Sequence, residues 1–209
     1  MRRLWRYVED VESGKQVVGE YIRKAVKRFR SMMERIEKDP DCPYYFDEKK
    51  AQTFFNFCEL CRQYKDKWAG VPLHLEDWQS FLFGNIYGFR KKSNGTRFFK
   101  KCVLFIGRKQ GKSTLMCPVA IFDGAVGNSS EVYCLATKRE QAKIVYDCVY
   151  HTIKQDPVLS AMFQNYRSAT RLVNKRNSSI IAPLSADYST QDGLNCSTAI
   201  ADEIAAWKS

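Results

Sequence analysis

The chain lacks any apolar run of membrane-spanning length, and its first residues, Met1-Arg-Arg-Leu-Trp-Arg6, lack the apolar core of a secretory signal. Both absences point to a soluble, intracellular protein. Histidine is scarce: His74 and His151 are the only two, too few and too scattered for a zinc peptidase or a Ser-His-Asp hydrolase. A single Cys-x-x-Cys occurs, Cys58 to Cys61, with no second pair and no histidine at zinc-finger spacing. These two thiols continue an apolar stripe through Ala51, Phe54 and Phe55, and so read as packed core rather than as metal ligands. All eight cysteines are expected to be free, since an intracellular compartment keeps thiols reduced. There is no internal repeat and no low-complexity tract.

What is present is a globular composition with a strong positive bias. Hydrophobic residues make up 44% of the 209, enough for one core with a small N-terminal layer and too many for a disordered chain. The net charge of +11 favours a polyanionic partner. The cations cluster at Arg2 to Arg6, Arg23 to Arg30, Arg90 to Lys101 and Arg167 to Arg176. Any one cluster is satisfied by a solvated surface, but their sum favours contact with DNA or RNA. Ser93-Asn94-Gly95-Thr96 reads as a turn flanked by cations, a candidate DNA-facing loop.

Periodicity predicts a basic amphipathic helix from Lys15 to Glu37, stopped by Asp39-Pro40. A second helix is expected from Asp47, as its N-cap, to Lys67, and an aromatic helix around Trp78, Phe81 and Phe83. Further along, Val103–Ile106 predicts a strand, followed by a basic loop and a helix from Ser113 to Val126. Glu131–Thr137 predicts a second buried strand, followed by a helix burying Ala142, Val145, Cys148 and Val149. Ser178–Leu184 predicts another strand, and Ser185–Asn195 a polar loop. Strands alternating with helices indicate a mostly parallel α/β sheet.

Within this order, strand, loop, Gly111-Lys112-Ser113 and helix form the pattern of a phosphate-binding loop. Backbone N–H groups and the positive helix end would cradle a polyphosphate, Lys112 would reach the β/γ-phosphates, and the Ser113 hydroxyl would hold Mg²⁺. The glycine spacing departs from the usual one: three residues separate Gly107 from Gly111, and Ile106 stands where the first glycine belongs. A basic surface turn is the competing reading, and the flanking strand and helix favour the nucleotide site. Near the C-terminus a small-apolar strand runs into Asp202-Glu203. Paired acids at a strand end suit an ATPase, Asp202 holding Mg²⁺ through water and Glu203 polarising the attacking water. Gln79, upstream of the loop, carries an amide that can both donate to and accept from an adenine edge.

On these residues the chain resembles the N-terminal ATPase portion of tailed-bacteriophage terminase large subunits. The similar stretches are Tyr7–Lys15, Trp68–Gln79, the Arg108-Lys-Gln-Gly-Lys-Ser-Thr114 loop, Ala136–Ala142, and Asp192–Asn195 running on to Asp202-Glu203. The resemblance implies an α/β P-loop NTPase fold of RecA type, with a mostly parallel sheet. It sets an N-terminal helical segment at 1–70 and an ATPase domain at 71–209. ATP and Mg²⁺ are the implied cofactors, with Gly107, Arg108, Lys109, Gln110, Gly111, Lys112, Ser113 and Thr114 around the phosphates and Gln79 at the adenine. Ser113 and Asp202 are the implied metal residues, and Glu203, Lys112 and Arg108 the catalytic ones. Thr137–Gln141 matches a family element near the site. Implied partners are double-stranded DNA, a portal protein and a terminase small subunit, around a homo-oligomeric ring in the host cytoplasm, without a membrane.

Family members continue past the paired acids into further strands and a nuclease domain. The sequence is therefore expected to be a truncated form, with a sheet incomplete at its C-terminal end and no nuclease of its own. A helicase-like translocase would need a second RecA-like domain, and a non-catalytic basic nucleic-acid-binding remnant would need no working nucleotide site.

Overall fold

Two runs of helical apolar spacing at the start of the chain fold as two helices. The computed structural model describes residues 1–107, 110–185 and 193–204. The chain divides into two compact units, residues 1–59 with 74–105, and residues 60–73 with 106–209.

In the first unit α1 (Arg2–Glu12) precedes α2 (Glu20–Lys38). The helix expected from Lys15 starts later, with Gly19 as N-cap, because Gly14 at φ +79° turns the chain between the two. Strand β1 (Tyr44–Phe46) leads into α3 (Glu48–Leu60), whose first turn is capped by Asp47 accepting from Lys50 N at 2.9 Å. The predicted extension to Lys67 does not form. Beyond Leu60 the backbone finds other partners: Gln63 N donates to Val71 O, and Leu73 N donates to Cys61 O. Helix α4 (Asp77–Gly88) runs directly into β2 (Phe89–Lys91), which pairs antiparallel with β1. Helices α1 and α4 approach so closely that a Cβ on Gly84 would overlap the Leu4 side chain. Phe29 is the hub of the core, with Trp5, Phe46, Phe81 and Phe89 ring centroids 5.3 to 5.8 Å away. Phe54 stacks on Tyr87 at 3.8 Å.

The second unit holds α5 (Lys112–Val126), β3 (Glu131–Ala136), α6 (Arg139–Gln155), α7 (Pro157–Met162), β4 (Phe163–Tyr166), β5 (Arg171–Asn174), β6 (Ile180–Ser185) and β7 (Cys196–Ala201). The strands form one sheet in the order β4-β5-β6-β3-β7. One half of it is parallel, β6 and β7 each pairing parallel with β3. The other half is an antiparallel extension, β4 with β5 and β5 with β6, so the sheet as a whole is mixed. Helices α5 and α6 pack on this sheet and on each other, α6 burying Ala142, Val145, Cys148 and Val149 as its spacing predicts.

Two further expectations fail. The apolar run Val103–Ile106 is not a strand: its backbone joins no ladder, and Val103 and Phe105 are 85% and 99% exposed. A strand exists only beside a neighbour, and among the described residues β7 has one neighbour, β3, and an open second edge. The cysteines are not all free, since Cys117 of α5 and Cys148 of α6 are joined in a disulfide with a Cα–Cα distance of 6.3 Å. The packing of the two helices brings the pair within bonding range, which spacing in the sequence does not reveal. Cys58 and Cys61 are buried and in no disulfide, and burial pushes the Cys61 thiol up to about 12. No helix among the described residues is long and apolar enough to cross a membrane.

Candidate nucleotide site

Helix α5 begins at a glycine that cannot cap it. Gly111 is the N-cap, in the left-handed region at φ +76° and ψ 20°, where a side chain would be strained. It offers no side-chain oxygen to the first-turn N–H groups, and the first backbone bond closing onto it is Leu115 N to Gly111 O at 2.9 Å. The first turn has no acid and carries Lys112 instead, a cation where the helix dipole disfavours one. An uncapped turn with a lysine at its head has the chemistry to receive an anion.

Lys112, Ser113 and Thr114 are half-buried in that turn, and Gln110 and Gly107 are exposed before it. Arg108 and Lys109 lie outside the described residues, as do residues 186–192, most of the polar loop expected before β7. Thr114 borders a crevice of about 10 Å³ with Arg62, Leu73, Pro118 and Thr152, room for one water at most.

The far end of α5 is fixed to the start of the sheet. Gly124 packs so closely on the first residues of β6 that an added Cβ would lie 3.1 Å from Ile181 Cδ1. Its carbonyl accepts from the buried Asn174 side chain at 3.0 Å. Asp123, also buried, accepts from the Thr198 hydroxyl in β7 at 2.7 Å. These anchors lie at the amino-terminal halves of β6 and β7. They direct the other end of the helix, with Lys112 and Ser113, toward the carboxyl ends of the parallel strands, where open α/β sheets bind ligands.

The acids follow at that end of β7. Asp202 N extends the ladder by donating to Leu135 O at 3.0 Å, and the Asp202 carboxylate accepts from Glu203 N at 2.9 Å. Asp202 is half-buried and Glu203 exposed. Glu203 has φ +51°, a left-handed backbone that is uncommon outside glycine and holds the side chain away from the strand direction. Next to it, at the end of β3, the Thr137 hydroxyl donates to Gln141 Oε1 at 2.7 Å across the start of α6. Sequence reasoning assigns Thr137 and Gln141 no chemical role. Their place directly after the second buried strand is the signal that sets them beside Asp202.

Gln79 belongs to the first unit. It is the third residue of α4, and its Oε1 accepts from Glu76 N at 2.8 Å in a reciprocal cap of that helix.

A parallel strand group with Gly-Lys-Ser heading a packed helix and paired acids following a neighbouring strand has the layout of a P-loop nucleotide hydrolase. The model of the terminase large subunit ATPase domain matches residues 77–209, and the chain belongs to that family. Among solved structures, the fold is similar to that in the crystal structure of the HK97 bacteriophage large terminase, with a TM-score of 0.60 and 23% identity. The match covers 73% of this chain and 30% of that one, so the chain spans less than a third of the HK97 protein's length in the alignment. Comparison with curated proteins gives no match.

Proposed function

We propose that the chain provides the ATP-hydrolysing part of a motor that drives double-stranded DNA into a viral procapsid. The supporting observation is the tie between the two halves of the candidate site. The helix headed by Gly111-Lys112-Ser113 is hydrogen-bonded through Asp123 to Thr198, on the strand that runs into Asp202-Glu203.

In this reading Lys112 and the uncapped N–H groups of α5 hold the phosphates, with Gly107, Arg108, Lys109, Gln110, Gly111 and Thr114 completing the loop. Ser113 and Asp202 would hold Mg²⁺, which supplies charge neutralisation at the β- and γ-phosphates. A site of one hydroxyl and one carboxylate suits Mg²⁺, which keeps several waters and takes its remaining ligands from the substrate. Glu203 would accept a proton from the attacking water as its oxygen bonds to the γ-phosphorus. The bond from that phosphorus to the β–γ bridging oxygen breaks, and ADP and phosphate leave. Arg108 and Lys112 offset the charge on the transferring group. Gln79 is the proposed adenine contact, carried by family resemblance.

The working assembly would be a ring in the host cytoplasm, transiently at a portal protein, with a small subunit as partner. DNA would be held through its backbone, giving salt-sensitive, sequence-blind binding. The test is Lys112→Ala. ATP turnover should fall by roughly a hundredfold or more with DNA affinity nearly unchanged, and turnover that survives would refute the assignment.

A further inference from the structure

The four basic clusters of the sequence are not equivalent once folded. On α1 and α2 many cations are neutralised in place: Arg30 with Glu12, Lys24 with Glu20, Arg35 with Asp39, Lys38 with Glu34, and Arg6 with Asp77. The stretch after α4 differs, because no Asp or Glu occurs between Asp77 and Asp123. Within it, residues 90–101 hold five cations besides Arg90. Among the described residues no carboxylate forms an ion pair with Arg90, Lys91, Lys92, Lys100 or Lys101.

The backbone concentrates this charge at the end of a hairpin. Lys91 N donates to Thr96 O at 3.0 Å, Gly95 N to Lys91 O at 2.9 Å, and Phe98 N to Phe89 O at 2.9 Å. The Asn94 side chain accepts from Thr96 N at 3.0 Å, and Gly95 takes the left-handed position at φ +68°. Lys92 is tied down through Pro40 O and Pro43 O. Arg90 and Arg97 stand directly opposite one another across this turn in an antiparallel bridge.

Like charges directly opposite are unfavourable in a sheet. Burial and the Arg97 charge together pull the half-buried Arg90 guanidinium below its ordinary range, and Asp47 offsets this only in part. Arg90 is oriented by donating to Tyr87 O at 3.0 Å, while the Arg97 guanidinium lies 5.4 Å from the Tyr87 ring centre. The Arg90 cation is thus disfavoured where it stands, and an external anion beside it would offset that.

We propose that this hairpin tip, Arg90, Lys91, Lys92 and Arg97 continued by Lys100, is a docking surface for the phosphate backbone of duplex DNA. Naming DNA as the polyanion rests on the packaging reading; the surface itself does not depend on the nucleotide site. Duplex rather than single-stranded DNA follows from the aromatics. Single-strand binders stack bases on exposed rings. Here Phe89, Phe98 and Phe99 are turned into ring contacts with each other and with Tyr44, and none is exposed. With cations outside and rings inside, the surface reads phosphates and no bases.

The test is equilibrium binding of the full chain to a short fluorescent duplex without nucleotide, across a salt series. The triple variant Lys91→Gln/Lys92→Gln/Lys100→Gln should lower the magnitude of the log K against log salt slope by about 2 to 3, at roughly 0.9 for each phosphate no longer neutralised. A matched triple on α2, Lys24→Gln/Lys27→Gln/Lys38→Gln, removes the same charge and should leave the slope within error. Thermal midpoints check that both variants fold, and the double variant Lys91→Gln/Lys100→Gln serves if the first does not. An unchanged slope in the hairpin variant, or an equal drop in the α2 variant, overturns the proposal. Tighter binding of single-stranded than of duplex DNA overturns its second part. Loss of turnover in Lys112→Ala bears on hydrolysis alone, so the two readings fail separately.

Discussion

Replacing Thr198 by valine keeps the β-branched shape of the strand residue and removes the hydroxyl that donates to Asp123 at 2.7 Å. Asp123 Oδ2 then loses this donor in a site where the residue is 8% exposed. Leaving a buried acceptor without its donor costs about 1–3 kcal/mol. At about 2 kcal/mol the thermal midpoint of a chain this size falls by roughly 4–8 °C. The same bond positions the strand that ends on Asp202 against the helix that begins at Lys112. Thr198→Val should therefore lower kcat for ATP by roughly 10- to 100-fold through misplacement, while the KM for ATP, governed by the loop, moves much less. Thr198→Ser retains the hydroxyl and should recover most of both losses. Calorimetry and steady-state ATPase assays on the three proteins decide it. A valine variant with the wild-type midpoint and kcat refutes the tie.

Gly88→Ala would set a Cβ 2.6 Å from Cζ of Phe46, a ring already held by Phe29 and Phe89, and should destabilise by roughly 1–3 kcal/mol by denaturant titration. Cys134 is fully buried with its thiol pushed up to about 12, so a thiol reagent at mildly alkaline pH should modify exposed Cys102 and Cys196 and spare Cys134 until the protein unfolds. Because partial desolvation raises the exposed Cys102 and Cys196 thiols too, their labelling rates should keep rising with pH above the ordinary thiol range, as read by mass spectrometry. Gln79→Ala removes the Oε1 that accepts from Glu76 N, so it should lower stability by about 1 kcal/mol through lost capping. If Gln79 also meets the adenine, the same variant should lose discrimination between ATP and GTP, measured by competition.

Periodicity revealed the elements with one strongly apolar face. Helices α2, α5 and α6 and strands β3 and β6 all carry runs whose buried positions follow their own spacing, so most of the parallel core is legible in the sequence. Pairing is not. Val103–Ile106 has strand-like residues and no ladder, because propensity describes a residue and a strand requires a neighbour. The β4–β5 hairpin is not legible in the sequence, since Phe163–Tyr166 and Arg171–Asn174 are short and polar on one side. The early end of α3 followed from backbone bonds between residues 61–63 and 70–73, which local composition does not announce. At the candidate site, Gly-Lys-Ser and Asp-Glu stood out by residue type. The Asp123–Thr198 bond that ties their elements, and the Thr137–Gln141 pair beside Asp202, depend on the sheet register and became visible only with the fold.

In the proposed site Lys112 and Asp202 meet at one Mg·ATP. A double-mutant cycle on Mg·ATP binding, using Lys112→Gln, Asp202→Asn and the pair, measures this by calorimetry. Two residues sharing a ligand should show a coupling energy of about 0.5–3 kcal/mol, whereas losses that simply add, within about 0.5 kcal/mol, would contradict it.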